Sequence, residues 1–179
     1  MGQPPAKKKL PPKAPPAIKR EHYMEVPAGI FLRAILRSSV STATNNINDP
    51  VSAILDSNYY FIDTVCIPEN SILDGHISEF QLPKKGRNGY FRIHFDSIRF
   101  PDNKQMPLDG NLWLEGSDLV GGQTTSLNEM RPVHFSAGGM NYLLLKPTGE
   151  YSIGKDVTLP AGSEILVKTN QSLKVNFLE

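Results

Sequence analysis

The chain has 179 residues, 39% of them apolar and 21% charged, and a net charge of +1, totals that suit one globular core with a polar appendage. Charge is unevenly spread: Lys7, Lys8, Lys9, Lys13, Lys19 and Arg20 oppose only Glu21 and Glu25 in the first 25 residues, and residues 26–179 carry −3. That balance argues against phosphate recognition by the folded part, and a single cysteine, Cys66, excludes an intrachain disulfide and any multi-cysteine metal site.

Residues 1–25 hold six prolines and few large apolar side chains. Such a segment cannot bury enough surface to offset its ordering entropy, and its prolines favour extended polyproline II, so a disordered Pro/Lys-rich linker is expected. It lacks the apolar run of ~7–15 residues that a secretory signal requires. No uninterrupted apolar stretch of ~18 residues occurs later, so no membrane-spanning helix is expected, and the chain reads as soluble.

From Val26 a repeated phrase organises the sequence. Val26-Pro27-Ala28-Gly29, Ile67-Pro68-Glu69-Asn70-Ser71 and Leu159-Pro160-Ala161-Gly162-Ser163 each combine an apolar residue, proline, a small or polar residue, and Gly or Asn. Proline presets φ for the second position of a turn, and Gly or Asn tolerates the backbone geometry that the turn then needs. Each copy runs into an apolar-rich segment, and the three are expected to be turns that launch strands of one β architecture.

Ile30, Leu32, Ala34 and Leu36 alternate with Phe31, Arg33, Ile35 and Arg37 at strand period. Ser38 to Asn48 reads as a loop. Asp49 to Leu55 fits helical and strand spacing alike and is assigned strand on its length of about seven residues. Tyr59 to Val65 is dense in aromatic and β-branched residues and reads as one strand, with another over Ser71 to Phe80. Tyr90 to Phe100 is the clearest strand, with an apolar phase that slips at Ser97, as at a β-bulge. Pro101 to Lys104 is a hairpin turn, and Gln105 to Leu108 starts its partner strand. Residues 109–150 read as an irregular insertion broken by Gly121-Gly122 and Gly138-Gly139, with one capped helical turn at Ser126 to Met130 ended by Pro132. Tyr142 to Leu145 and Tyr151 to Ile153 return to sheet. Asp156 to Glu179 reads as strand, turn, strand, a turn at Asn170 to Ser172, and a last strand.

The candidate chemistry is sparse. His22, His76, His94 and His134 show no metal-ligand spacing. His76 with Asp74, and His94 with Asp96, share strand faces and form a His/Asp cluster if those strands pair; otherwise they are a solvated outer face. Cys66 lies between apolar neighbours and reads as a small buried hydrophobe, because a nucleophile needs a histidine in reach. Ser126 lacks the nucleophile-elbow glycines, and Gly121 to Thr125 lacks the lysine of a phosphate loop. Lys84-Lys85-Gly86-Arg87, beside Tyr90 and Phe91, is the one basic site of the folded part, a candidate contact for nucleic acid or anionic lipid.

The segments V-P-A-G-I-F-L-R-A-I-L (26–36), D-P-V-S-A-I-L (49–55), I-P-E-N-S-I-L-D-G-H-I (67–77), F-R-I-H-F-D-S-I-R-F-P-D (91–102) and G-K-D-V-T-L-P-A-G-S-E-I-L-V (154–167) resemble the C-terminal β-barrel domain of the envelope-spanning scaffold subunit of bacterial type IV secretion and conjugation systems, or a stand-alone relative of it. The Pro-rich, Lys-bearing lead segment matches that family's periplasmic spacer. The resemblance implies a non-catalytic scaffold in the periplasm or cell envelope, with other envelope or secretion proteins as partners and a ring-forming homo-oligomer. The family's inserted helical hairpin forms an outer-membrane pore; its counterpart here, 109–150, is too polar and glycine-broken for that.

Together these readings predict a mainly β chain: a Pro/Lys-rich linker over 1–25, then a small antiparallel barrel or sandwich over 26–179. No catalytic residue, cofactor or metal ligand is assigned. The alternatives are a small-ligand-binding or hydrolytic barrel using His76 and His94, or nucleic-acid binding through the basic tail.

Overall fold

Alternation of apolar and polar residues drives almost the whole chain into extended structure. A computed structural model describes residues 22–125, 130–147 and 151–177. Within them lie fifteen strands and no helix: β1 (His22–Val26), β2 (Phe31–Leu36), β3 (Val40–Ser41), β4 (Pro50–Leu55), β5 (Tyr59–Phe61), β6 (Thr64–Ile67), β7 (Ile72–Gln81), β8 (Tyr90–Arg99), β9 (Gln105–Trp113), β10 (Val120–Gly121), β11 (Met130–Ala137), β12 (Met140–Pro147), β13 (Thr158–Leu159), β14 (Glu164–Thr169) and β15 (Leu173–Phe177).

Six strands close on themselves. The order β8-β7-β4-β2-β14-β9 returns to β8 through a direct β8–β9 pairing, and every pairing is antiparallel. The architecture is therefore a barrel and not a sandwich. A barrel this narrow is filled by its own side chains. Leu32, Ala34 and Leu36 of β2, Val51, Ala53 and Leu55 of β4, Phe91, Ile93 and Phe95 of β8, and Ile165 and Val167 of β14 are all buried, while the residues between them are not.

The three proline phrases are the corners of this barrel, and they share one hydrogen-bond pattern. Gly29 N–H donates to Thr169 O (2.8 Å) while Thr169 N–H donates to Ile30 O (2.9 Å). Asn70 and Leu55 N–H donate to Leu55 O and Ser71 O in the same way (3.0 and 2.8 Å), and Gly162 and Leu36 N–H to Leu36 O and Ser163 O (2.8 and 2.9 Å). Each corner thus starts a barrel strand and locks the end of that strand's antiparallel neighbour. The Gly or Asn is required because it sits at positive φ (84°, 62° and 81°). In the second and third corners proline takes the first turn position and not the expected second: Ser71 N–H and Ser163 N–H both close back onto the proline carbonyl at 3.3 Å.

The bulge falls next to the expected place. Asp74 pairs with Ser97 and Gly75 with Phe95, so Asp96 has no opposite number on β7. Phe95 lies in register between Gly75 and Gly110, and the backbones close tightly there. A Cβ on Gly75 would lie 2.1 Å from the His94 carbonyl oxygen.

Several expectations need correction. Strand structure begins at His22, not after residue 25, because β1 pairs along its length with β15; residues 1–21 lie outside the described residues. Ser38 to Asn48 is not all loop, since Val40–Ser41 pairs with Thr158–Leu159. Tyr59 to Val65 is a hairpin and not one strand: Ile62 and Asp63 both take positive φ (48° and 60°), the two-residue turn geometry that matches strand twist. The described residues between 109 and 147 are largely regular. β9 continues to Trp113, and β11 and β12 form an eight-pair hairpin turned by Gly138-Gly139 at φ 60° and 80°. Pro132 lies within β11 instead of ending a helix, and the expected cap at 126–129 lies outside the described residues.

Candidate functional site

Pairing β7, β8 and β9 does assemble the histidine cluster, with a different carboxylate from the one expected for His76. His76 and His94 are direct register partners, their rings 5.8 Å apart and edge-on. His76 Nδ1 donates to Asp96 Oδ2 (2.8 Å), and His94 Nε2 lies 3.6 Å from Asp96 Oδ1. His94 Nδ1 also meets Asn111 Oδ1 across to β9 (2.8 Å). Asp96 shares the outward face of His94 by strand alternation, and the bulge leaves it with no residue opposite on β7, so it can reach both rings. Asp74 instead binds Arg99 through both carboxylate oxygens (3.0 and 2.7 Å).

The cluster stands on the outer wall. The side chains of His76, His94 and Asp96 are 34%, 27% and 53% exposed, and they line none of the four clefts described on the surface. Among the described residues no group of three or more His, Cys, Asp or Glu side chains has metal-binding geometry. The same wall carries Arg92 beside Glu79 (3.1 Å) and Asp118 (3.2 Å). It is a surface whose charges largely answer one another.

The remaining candidates are tied into the fold. Cys66 is buried, its thiol directed at Met24 Sδ (3.5 Å), and burial pushes its pKa up. It borders a cleft of about 390 Å³ with Phe100, Pro101 and Val175, whose rim charges Asp102 and Lys104 pair at 2.8 Å. Lys104 holds the Asp102 carboxyl below its usual range. In the basic loop, Arg87 Nε donates to Gly122 O (3.0 Å) and its guanidinium lies 4.8 Å from the Tyr90 ring centre. Lys84 and Arg87 exchange backbone hydrogen bonds at 3.0 Å, and Gly86 N–H and Gly154 N–H join the loop to the 152–154 segment. The loop is a clasp between three chain segments. Gly121 and Gly122 serve the same clasp, since a Cβ on Gly121 would lie 2.4 Å from Gly89 O. His134 is exposed on β11, His22 lies on β1, and Ser126 is outside the described residues.

Sequence reasoning missed an outer-wall feature on the β2–β14–β9 side. Phe31 and Leu166 are 45% and 39% exposed. The Phe31 ring centre lies 6.3 Å from that of Trp113, and Lys168 Nζ lies 4.6 Å over the indole. Beside them is a cleft of about 460 Å³ lined by Trp113, Leu114, Ile165 and Leu166, with Arg33, Glu115 and Glu164 as its charged groups. Arg33 is committed to Asp56 (2.5 Å), whose hydrogen bond and charge raise the arginine's pKa. The signal was present in Leu112-Trp113-Leu114, but the polar Asp109-Gly110-Asn111 before it hid the strand.

This fold has a counterpart among solved structures. The fold is similar to that of a type IV secretion component. The structure of ComB10 of the Com type IV secretion system of Helicobacter pylori matches over 87% of this chain and 92% of its own, with a TM-score of 0.51 and 16% identity. No family model matches the sequence. No curated protein matches it either. The barrel expected from the sequence resemblance is thus the barrel found, and at that identity the likeness is one of fold.

Proposed function

We propose that this chain is a non-catalytic structural and interaction module of the bacterial cell envelope, a scaffold component of a type IV secretion-like assembly. The observation that carries the reading is the match to ComB10 across nearly the full length of both chains. The packing supports it: the barrel interior is filled by Leu, Ile, Val, Ala and Phe, which leaves that space to packing instead of substrate. Binding then falls to outer walls and hairpins, through side-chain pockets or strand edges.

The test is fractionation of cells expressing the full chain at native level, with sizing of the extracted material. Sedimentation with the envelope and elution as part of a large assembly are expected. Recovery as a lone chain outside the envelope fraction would overturn the reading.

A second reading draws on the hydrogen bond of His76 to Asp96 (2.8 Å), with His94 at 3.6 Å from the same carboxylate, since a histidine hydrogen-bonded to a carboxylate is a pairing that general acid–base chemistry uses. The trio lies on an open wall, so it lacks the enclosure that excludes water and orients a substrate. A His76→Ala/His94→Ala variant that assembles normally but loses a hydrolytic or ligand-binding activity of the wild type would favour this reading over the scaffold.

A further inference from the structure

The cleft beside Trp113 is unlike the other surfaces of the barrel. Its walls are Trp113, Leu114, Ile165 and Leu166, and its charged lining consists of Arg33, Glu115 and Glu164. Arg33 pairs with Asp56 and also feels Glu164, and Lys168 lies over the indole, so two basic groups stand among three acidic ones and one negative charge is left over. Leu114 and Glu115 also line a second cleft of about 530 Å³ with Leu119, Val120, Val157 and Leu159, so Glu115 borders both. An apolar, tryptophan-bearing depression with acidic edges suits an extended ligand that is apolar along its length and basic at intervals.

The chain itself contains such a ligand. Residues 4–16, Pro-Pro-Ala-Lys-Lys-Lys-Leu-Pro-Pro-Lys-Ala-Pro-Pro, have six prolines, four lysines and no acid. Proline pairs favour the extended, three-residue-per-turn helix that aromatic-lined grooves recognise, and this costs little ordering entropy because the helix is preformed. In such a helix, rising ~3.1 Å per residue, Lys13 would stand within ~6 Å of the Pro11-Pro12 pair along the axis. That spacing lets the prolines take the place of the Lys168 side chain against the indole while the ammonium meets a glutamate at the lip.

We propose that the Trp113 cleft is the docking site for the Pro/Lys-rich segment 4–16 of this chain. The competing surfaces fit it less well. The cleft beside Cys66 has its charges paired at the rim, and the one beside Asn88 carries Lys155 and no aromatic side chain.

Trp113 is the only tryptophan, so its fluorescence in the full-length protein reads the site directly. The test reverses four charges in the segment, Lys7→Glu, Lys8→Glu, Lys9→Glu and Lys13→Glu, and separately reverses the cleft with Glu115→Lys and Glu164→Lys. Circular dichroism and thermal melting check that each variant is folded. In the wild type Trp113 is expected to emit to the blue and to resist acrylamide. Either set of substitutions should shift the emission red and raise quenching, as should ~1 M salt, which cuts the Debye length to ~3 Å. Combining both sets restores opposite charges and should return the wild-type signal. Dependence of the signal on protein concentration would assign docking between copies, and independence would assign it within one chain; both agree with the proposal. Identical emission and quenching in the wild type and the lysine-reversed chain would overturn it. So would failure of the combined variant to recover while remaining folded.

Discussion

Gly75 is the position where the barrel has least room to change. A methyl group there would lie 2.1 Å from the His94 carbonyl oxygen, 2.7 Å from Phe95 Cα and 2.9 Å from the His94 carbonyl carbon. All three atoms are backbone of the neighbouring strand, so no side chain can swing aside. Relief requires β7 and β8 to separate at the bulge. Overpacking of this kind costs ~1–3 kcal/mol, and each ladder hydrogen bond lost adds ~0.5–1.5 kcal/mol, which together put Gly75→Ala at about 3 kcal/mol. For a chain of this size each kcal/mol moves the melting temperature by ~2–4 °C, so a fall of about 6–12 °C is expected. Gly29→Ala is the control. Gly29 has no atom within 4 Å of an added Cβ and only its φ of +84° to strain, so that substitution should cost ~1–2 kcal/mol. The assay is thermal melting by circular dichroism of both variants beside the wild type. A Gly75→Ala melt equal to the wild type, or no lower than that of Gly29→Ala, would refute the close approach and with it the β7–β8 register.

Single residues elsewhere carry further expectations. Phe95→Ala removes a fully buried ring and should cost ~3–5 kcal/mol in chemical denaturation, since the two flanking glycines cannot refill the space. Thr169→Val removes the hydroxyl that accepts from Gly29 N–H (3.1 Å) and Ile30 N–H (3.2 Å), and should cost ~1–3 kcal/mol while leaving side-chain volume nearly unchanged. Asp96→Asn touches an exposed cluster and should change stability by less than ~1 kcal/mol, whatever it does to any activity of the histidines. Burial raises the Cys66 thiol above its ordinary range, so the folded state holds that proton more tightly than the unfolded state. Its contribution is therefore fully present below the ordinary thiol range of ~8.5 and is lost as pH rises past it. Denaturation between pH 7 and 10 should show a steeper decline in the wild type than in Cys66→Ala; parallel curves would contradict the assignment.

The barrel was legible because its strongest signals are local. Proline with a Gly or Asn close behind it marks a corner by backbone sterics alone, and strict alternation over β2, β8 and β14 marks a one-sided interior. What escaped was set by partners distant in sequence. β1 could not be seen at His22 to Glu25, because only pairing with β15, some 150 residues later, makes a strand of it. The β5–β6 turn has no glycine, and Ile62 at positive φ violates the usual preference, so tertiary constraint outweighed propensity there. In the histidine cluster the residue types were visible, but the exchange of Asp74 for Asp96 depended on a one-residue bulge. The Trp113 cleft needed three strands side by side, one of them hidden by Asp109-Gly110-Asn111.

Closure of the barrel through β8–β9 underlies the fold, the histidine cluster and the Trp113 wall alike, and hydrogen–deuterium exchange of backbone amides tests it most directly. Slow exchange is predicted for the paired amides of β9 between Gln105 and Asn111 and of β8 between His94 and Arg99, matching that of β4 and β7. Rapid exchange along β9 at rates typical of a free sheet edge, with β7 still protected, would mean an open sheet and would contradict the account.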